Sequence, residues 1–559
     1  MFEQEQAFAN LRRIVASLLM TTIALGPSIT PAFAAPAKPA TKQFAAPATA
    51  TPIQHLVVIF NENISFDHYF GTYPVATNPP FENVFHAEAT TPTVNGLSGA
   101  LLTANPNLNP ANGTGATNPF RLDVLQAATA DQDHAYTPEQ LAFDSGLMDV
   151  FPLYTGTAGP PPAGLTNNGL VMGYFDGNTV TGLWNYAQHF ALSDNSYGTN
   201  FGPSTPGLIN LVSGQTNGVV AGLNPNPPAP TPGFSVADGN GGITVIGDAD
   251  PLNDVCSNPT RNQVQLGGQT IGDLLEASGI TWGGFMGGFN LSIVNPNGST
   301  GCGRTTKSNV TGVLETDYIP HHSLFAYWAS TANPTHARPA SIAEIGNDGP
   351  ANHQYDIEDF FAAASAGNLP AVSFLKAPAY QDGHAGYSDP TDEQNFVVNT
   401  INFLEAQPTW NSTAVVIMYD DSDGWYDHQI GPIVNTSQVA GVDELTGSGL
   451  CGTAAPQLAA ISGLGPAQGR CGYGPRLPLL VVSPWARQNF VDHTVTDQTS
   501  VIHFIEDNWL SGQRIGNGSF DSIANSISQM FNFKKIRTNG TLCLSPTSGK
   551  VLPPADCGL

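Results

Sequence analysis

Residues 53–63, IQHLVVIFNEN, carry the pattern that decides the fold. The run from Leu56 to Phe60 is apolar and rich in β-branched residues, which predicts a strand buried on both faces, as in a parallel sheet. The run ends at Asn61, Glu62 and Asn63. Open α/β sheets bind ligands beyond the carboxyl ends of their strands, and side-chain oxygens suit a hard or borderline cation. The alternative is a strand followed by a helix that Asn61 or Asn63 caps.

A second buried-strand pattern ends in the same way. Residues 414–419, AVVIMY, are followed directly by Asp420 and Asp421. Two adjacent carboxylates at the end of a core strand are costly to bury unless a cation or hydrogen bonds compensate them. Acidic clusters usually lie in solvated loops, but the apolar strand before this one favours a metal site.

The rest of the chain alternates strand and helix patterns. Further strands are predicted at 191–194, 370–376 and 477–484, a strand–helix unit over 270–278 and 280–285, and helices at 138–148, 183–190, 321–328, 392–407 and 498–508. This alternation predicts an α/β fold with one large, mainly parallel sheet sandwiched by helices. The 59 glycines and 45 prolines favour long loop insertions, chiefly at 72–135 and 215–270.

Composition restricts the possible partners. The chain has 559 residues, of which 41% are hydrophobic, so it is long and apolar enough for a substantial core. It has 18 Lys and Arg against 44 Asp and Glu, a formal net charge of −26. Such a surface repels polyanions, and we predict no nucleic-acid partner. An anionic substrate would need local positive charge, which a bound cation could supply.

The first 51 residues have the pattern of an export leader. Arg12 and Arg13 precede an apolar segment at 14–25, and residues 32–34, AFA, form a cleavage site, which predicts a signal peptide at 1–34. Residues 35–51, rich in Ala and Pro, are predicted to be a flexible leader. The apolar segment is short for a membrane span, and we predict no transmembrane span after signal removal. The expected location is periplasmic or extracellular, and Sec and Tat export both remain open.

The six cysteines fit an oxidising compartment. Their number is even and none forms a C-x-x-C pair, which favours structural disulfides over a zinc cluster. Of the 15 possible connectivities, the simplest pairs nearest neighbours, namely 256–302, 451–471 and 543–557. A C-terminal tail, 541–559, would then be tied by the last disulfide.

A hydroxyl and several histidines complete the candidate chemistry. Ser204 lies between Gly-Pro and Thr-Pro just before an apolar helical run, so it is expected at a helix N-terminus, where anions are favoured. The alternative is a plain N-cap with Pro206 at the first helical position. His322 and His384 lie in or beside loops. Together with the strand-end carboxylates, these groups suit metal-assisted nucleophilic attack on phosphorus.

Seven strings resemble the phosphoesterase family of bacterial acid phosphatases and phospholipases C, in the alkaline-phosphatase-like superfamily. They occur in order between residues 53 and 535: ENISFDHYFGTYP, VMGYF, FGPSTPG, DGHAGYSDP, YDDSDGWYDH, RLPLLVVSPWA and SFDSIA. The resemblance implies an alkaline-phosphatase-like fold and a phosphoesterase catalytic domain over 52–540.

The resemblance also implies roles for particular residues. One divalent metal ion would be bound by Glu62, Asn63, Ser204, Asp420 and Asp421, and Ser204 would also be the nucleophile. His322 and His384 would contact the phosphoryl group, with His384 as the acid for the leaving group. Supporting or structural roles are expected for five other residues: His321, Asp67, His68, His134 and His428.

The expected function is that of a secreted, metal-dependent acid phosphatase that hydrolyses phosphomonoesters through a phosphoserine at Ser204. A serine at this position and the short segment after Trp509 favour the acid phosphatase branch. The alternative is a phospholipase C or other phosphodiesterase with the same residues, acting on a small molecule or a lipid headgroup. A non-catalytic relative and a sulfatase rank lower, the latter because the sequence has no Cys-x-Pro-x-Arg. Metal identity (Ca²⁺, Mg²⁺, Mn²⁺, Fe or Zn²⁺), pH optimum, physiological substrate and oligomeric state remain open.

Overall fold

An eight-stranded sheet forms the centre of the molecule. The computed structural model describes residues 49–159, 167–223, 230–455, 458–537 and 540–559. Within these ranges the strands of the main sheet, in chain order, are β1 His55–Asn61, β2 Ala191–Ser193, β3 Trp282–Met286, β4 Gln354–Asp356, β5 Val372–Lys376, β6 Thr413–Tyr419, β7 Leu479–Val482 and β8 Phe490–Asp492. Their order across the sheet is β4-β3-β5-β1-β6-β7-β2-β8.

The sheet is mainly parallel. Strands β4, β3, β5, β1 and β6 are parallel to one another, and β2 and β8 form a further parallel pair. Strand β7 is antiparallel to both of its neighbours. From Leu56 to Asn61 every residue of β1 is buried, and since successive side chains point to opposite faces, both faces of the sheet are covered. The prediction of a large, mainly parallel α/β sheet is therefore confirmed.

Ten α-helices occur in the described part of the chain. They are α1 Phe66–Phe70, α2 Ala100–Thr103, α3 Tyr136–Phe143, α4 Phe151–Tyr154, α5 Thr181–His189, α6 Ser204–Ser213, α7 Ile271–Ala277, α8 Ile357–Ser365, α9 Pro390–Glu405 and α10 Thr499–Trp509. Small sheets in the loops use strands Phe120–Leu122 with Gly173–Phe175, Ser196–Tyr197 with Thr496–Asp497, Ser235–Ala237 with Ile243–Val245, Thr305–Lys307 with Leu314–Thr316, and Val219–Leu223 with Gln263–Leu266 and Asp250–Pro251. None of the helices described is long and apolar enough to cross a membrane.

Two predicted helices differ in the structure. The helix expected at 138–148 ends at Phe143, because Asp144 and Ser145 adopt left-handed backbone conformations. The helix expected at 321–328 is wrong: a short 3₁₀ turn covers Pro320–His322, and the following residues are not helical. All residues from 322 to 328 are buried, and the Leu266 N–H donates to the Tyr327 carbonyl, so tertiary contacts override the amphipathic pattern.

Three disulfides join nearest-neighbour cysteines, as the simplest pairing predicts: Cys256–Cys302, Cys451–Cys471 and Cys543–Cys557. The last of them ties the C-terminal tail. The predicted signal peptide at 1–34 lies outside the described residues, as do nearly all of the leader at 35–51. The boundaries predicted for the catalytic domain, 52–540, stay a prediction.

Candidate active site

Two adjacent strands bring four of the predicted ligands to one edge of the sheet. Strand β1 lies between β5 and β6 and is parallel to both, so their carboxyl ends coincide. Glu62 and Asn63 follow β1, and Asp420 and Asp421 follow β6, all with exposed fractions of 3% or less. The Asn63 N–H donates to Asp420 Oδ1 at 3.0 Å, which joins the two strand ends directly. Neither asparagine caps the next helix, since the N-cap of α1 is Ser65.

Helix α6 presents Ser204 to this edge. Ser204 is the first residue of the helix and Pro203 occupies the N-cap position, so the plain-cap interpretation of Ser204 is wrong. The hydroxyl donates instead to Glu62 Oε2 at 2.8 Å. It also lies 3.3 Å from Asp421 Oδ2 and 3.5 Å from Asn63 Oδ1. The structure thus gathers four of the five predicted metal-binding residues around one oxygen atom.

This donor set fits a divalent cation. Carboxylate, amide and hydroxyl oxygens are ligands of hard or borderline ions, and Glu62 Oε1 already faces two nitrogen groups, the Lys376 ammonium and His322 Nδ1. Burial first, and the neighbouring Asp420 carboxylate second, hold the pKa of Glu62 well above its ordinary value. Burial likewise raises the pKa of Asp421 well above its ordinary value. Both shifts mean that the site favours an additional positive charge, as a proton or as a metal ion.

His322 lies on one side of this cluster. Its Nδ1 is 3.1 Å from Glu62 Oε1 and 3.9 Å from Asp382 Oδ2. Burial, and then the neighbouring His321, lower the pKa of His322 well below its ordinary value. The rings of the two histidines are 4.5 Å apart, and Arg261 Nη1 lies 3.3 Å from His321 Nδ1. His321 therefore connects His322 to a cation at the surface.

His384 is buried in the loop that follows β5. Its Nδ1 is 2.6 Å from the carbonyl oxygen of Ala385, which leaves Nε2 as the ring nitrogen for a ligand or substrate. Burial lowers the pKa of His384. Its ring centroid is 6.0 Å from that of His134, and His134 Nδ1 lies 3.3 Å from Asp423 Oδ1. Asn63 links this group to the serine, because its Nδ2 donates to Asp423 Oδ1 at 3.2 Å.

Comparison with known proteins supplies the family. The family model described as Phosphoesterase family matches residues 53–510. This chain belongs to the Phosphoesterase family. It is 23% identical over 505 residues to phospholipase C A of Mycobacterium tuberculosis, covering 87% of this chain and 78% of that protein. It is 24% identical over 472 residues to the non-hemolytic phospholipase C of Burkholderia pseudomallei, covering 82% and 55%. A solved protein of the alkaline phosphatase superfamily from Vibrio parahaemolyticus is 12% identical, with a TM-score of 0.28 and coverages of 76% and 78%.

Two cavities border residues of the candidate site. One, of about 310 Å³, is lined by His321, His322 and His384. The other, of about 430 Å³, is lined by His134 and by Pro203, which precedes the serine. Arg261 lines both cavities.

The other predicted histidines make structural contacts. His68 Nδ1 lies 2.8 Å from the Gly173 carbonyl, and its ring stacks on Trp425 at 4.0 Å. His428 Nδ1 is 2.6 Å from Asp67 Oδ2, within a buried network that also holds Arg476. These contacts agree with the supporting roles expected for Asp67, His68 and His428.

Three charged residues at the site were not predicted from the sequence. Lys376 is the last residue of β5 and forms ion pairs with Glu62 and Asp420. Asp382 accepts from the His384 N–H at 3.1 Å and from the Tyr387 hydroxyl at 3.1 Å. Asp423 contacts Asn63 and His134 as described above. Lys376 ends a predicted central strand, so the reasoning that selected Glu62 could also have selected it.

Proposed function

We propose that this protein is an exported, metal-dependent phosphomonoesterase that works through a phosphoserine at Ser204. The observation that supports it most is the position of the Ser204 hydroxyl, which lies among oxygens of Glu62, Asn63 and Asp421 at the start of α6. Membership in the Phosphoesterase family gives the reaction class, hydrolysis of a phosphoric ester.

The residues that would hold one divalent cation are Glu62, Asn63, Ser204, Asp420 and Asp421. A bound cation supplies electrostatic stabilisation of the charge on the phosphoryl oxygens and lowers the pKa of a neighbouring hydroxyl. The oxygen-rich set permits Ca²⁺, Mg²⁺, Mn²⁺, Fe or Zn²⁺.

In the first step, Ser204 Oγ bonds to phosphorus and the bond from phosphorus to the leaving oxygen breaks. The hydroxyl proton passes to Glu62 Oε2, its hydrogen-bond acceptor at 2.8 Å. The leaving oxygen takes a proton from Nε2 of His384, whose Nδ1 is already engaged by a backbone carbonyl. The positive end of the α6 dipole favours the new phosphoserine charge.

In the second step, a water molecule attacks the phosphoserine. His384 Nε2 takes its proton, the bond from phosphorus to Ser204 Oγ breaks, and the serine recovers its proton from Glu62. His322, which lies beside Glu62 and on the wall of the first cavity, would contact the phosphoryl oxygens. Inorganic phosphate then leaves.

The proposed acid role of His384 predicts how the rate of the first step depends on pH. The first step needs its imidazolium form, and burial lowers its pKa. The rate should therefore fall as pH rises through that lowered pKa. A phospholipase C or other phosphodiesterase is the second candidate, because the relatives named above carry the name phospholipase C.

The disulfides of the structure are compatible with the proposed export of the protein. Three disulfides fit a protein of the periplasm or the extracellular medium. We expect the substrate to be a phosphate ester of a small molecule or a lipid headgroup.

The test compares wild type, Ser204→Ala and Ser213→Ala on a chromogenic phosphomonoester, a phosphodiester and phosphatidylcholine. Ser213 is a matched control because it is also buried and lies at the other end of α6. We expect Ser204→Ala to lose turnover on every substrate, while Ser213→Ala keeps it. Highest activity on the monoester supports the phosphatase, and highest activity on phosphatidylcholine transfers the assignment to phospholipase C. Substantial turnover by a folded Ser204→Ala protein contradicts the serine mechanism.

A further inference from the structure

A lysine lies inside the candidate metal-binding set. Lys376 ends β5, and its side chain is 1% exposed. Its ammonium contacts Glu62 Oε1 and is 3.4 Å from Asp420 Oδ2. The same nitrogen lies 5.4 Å from the centre of the Phe60 ring, so the stem passes the apolar end of β1. Lys376 thus bridges the two neighbouring strand ends that supply the proposed ligands.

The surroundings of this ammonium are strongly acidic. Glu62, Asp420 and Asp421 are all buried, and the buried Asp382 lies beyond them. Buried like charges repel, and an uncompensated buried carboxylate strongly destabilises the folded state. Among the lysines and arginines of the described ranges, the one that forms ion pairs with Glu62 and Asp420 is Lys376. A chain that relied on a metal ion alone for compensation would be strongly destabilised whenever that ion left.

We infer that Lys376 is a positioning residue for the proposed metal centre. Its ammonium keeps Glu62 and Asp420 together and offsets their charge, so that the ligand carboxylates stay buried and in place without a bound cation. This inference rests on the metal site of the proposed function. Lys376 acts through the ligands and takes no part in bond making.

The inference has a quantitative consequence through thermodynamic linkage. If the ammonium stabilises the cation-free protein more than the cation-bound protein, removing it must tighten cation binding by the same factor. We expect Lys376→Met to bind the divalent cation about tenfold more tightly, within the usual range of coupling between two sites. A purely structural lysine would stabilise both forms equally and leave the affinity unchanged.

The experiment measures the melting temperature of the full mature chain in chelator and at saturating Mg²⁺, Ca²⁺, Mn²⁺ or Zn²⁺. The cation that stabilises wild type most is then titrated calorimetrically. For Lys376→Met we expect a large loss of melting temperature in chelator and a clearly smaller loss with the cation. Lys376→Arg keeps the charge and should resemble wild type. Lys307→Met, at an exposed position, should change neither value.

A variant that fails to fold, and a wild type that binds no cation, are distinguished as follows. If Lys376→Met does not fold in chelator, Glu62→Gln in the same chain removes the opposing charge and should restore folding. Equal losses of melting temperature in chelator and with cation, together with unchanged affinity, overturn the inference. A wild type that none of the four cations stabilises counts instead against the proposed metal site.

Discussion

Replacing Arg476 by methionine should destabilise the protein strongly, because this arginine joins the two loops that carry the site. Its side chain is fully buried. Nη2 lies 3.0 Å from Asp67 Oδ1, and Nε lies 3.1 Å from Asp427 Oδ2. Asp67 follows the end of β1 by six residues and Asp427 follows Asp421 by six, so the guanidinium connects the segments that supply the proposed ligands. It also lies 4.4 Å from the Phe66 ring.

The size of the effect follows from burial. Removing one partner of a buried ion pair costs about 3–5 kcal/mol, since the remaining charge is left uncompensated. We take about 4 kcal/mol, because His428 continues to compensate Asp67 at 2.6 Å. With 559 residues, the entropy of unfolding is about 1.2 kcal/mol per degree, which converts this loss to about 3–4 °C in melting temperature.

The assay is differential scanning calorimetry of three variants. Arg338→Met is the matched control, because Arg338 pairs with Asp359 through a side chain that is 36% exposed. Such exposed pairs contribute about 0–1 kcal/mol, so its melting temperature should fall by about 1 °C or less. Arg476→Lys keeps the charge without the forked geometry and should fall between the two. A loss for Arg476→Met no larger than that for Arg338→Met would refute this reasoning.

The remaining predictions concern the metal, the acid and pH. Dialysis against a chelator should abolish turnover, and adding back one of the divalent cations should restore it. Full activity in chelator, with no metal detected by elemental analysis, contradicts the metal assignment. His384→Gln should lower kcat by about 10²–10⁴-fold for an alkyl phosphate but far less for nitrophenyl phosphate, whose leaving group needs no proton; equal losses on both substrates count against the acid role. Burial raises the pKa of Glu405 to about 8 from an ordinary 4.5, and the Leu542 N–H opposes this shift. Between those pH values the folded state keeps a proton that the unfolded chain has released, so stability falls as pH rises, by up to about 1.4 kcal/mol per pH unit. Thermal melts from pH 5 to 8 should show a shallower fall for Glu405→Gln, and parallel curves contradict this.

The sequence patterns predict much of the central sheet, because a strand that is buried on both faces requires a continuous apolar run. The strand over 56–60 and the strand over 414–419 both lie within observed strands, with the polar residues at the expected edge. The direction of β7 could not be predicted, since its residues are apolar whichever way it runs. The buried segment at 321–328 has helical spacing, but its contacts with distant residues determine its backbone.

Part of the site could be predicted because its residues follow strands that the sequence patterns predict. Glu62, Asn63, Asp420 and Asp421 follow strands, so topology alone brings them together. Asp382 and Asp423 lie near the site because of how the loops fold over the sheet edge. Local sequence patterns do not specify that loop folding. Lys376 could have been selected as the end of a predicted strand, but its contact with Glu62 depends on the register of β5 against β1, in which Leu375 pairs with Ile59. That register became available only with the structure.

The most direct test of the central claim is to look for the covalent intermediate. Wild type and Ser204→Ala are mixed with excess phosphomonoester, quenched in acid within the first turnovers, digested and sequenced by mass spectrometry. We expect one phosphoryl group on Ser204 in the wild type and none in the variant, which should also not turn over. A phosphoryl group on another side chain, or steady turnover by Ser204→Ala, would contradict the phosphoserine mechanism.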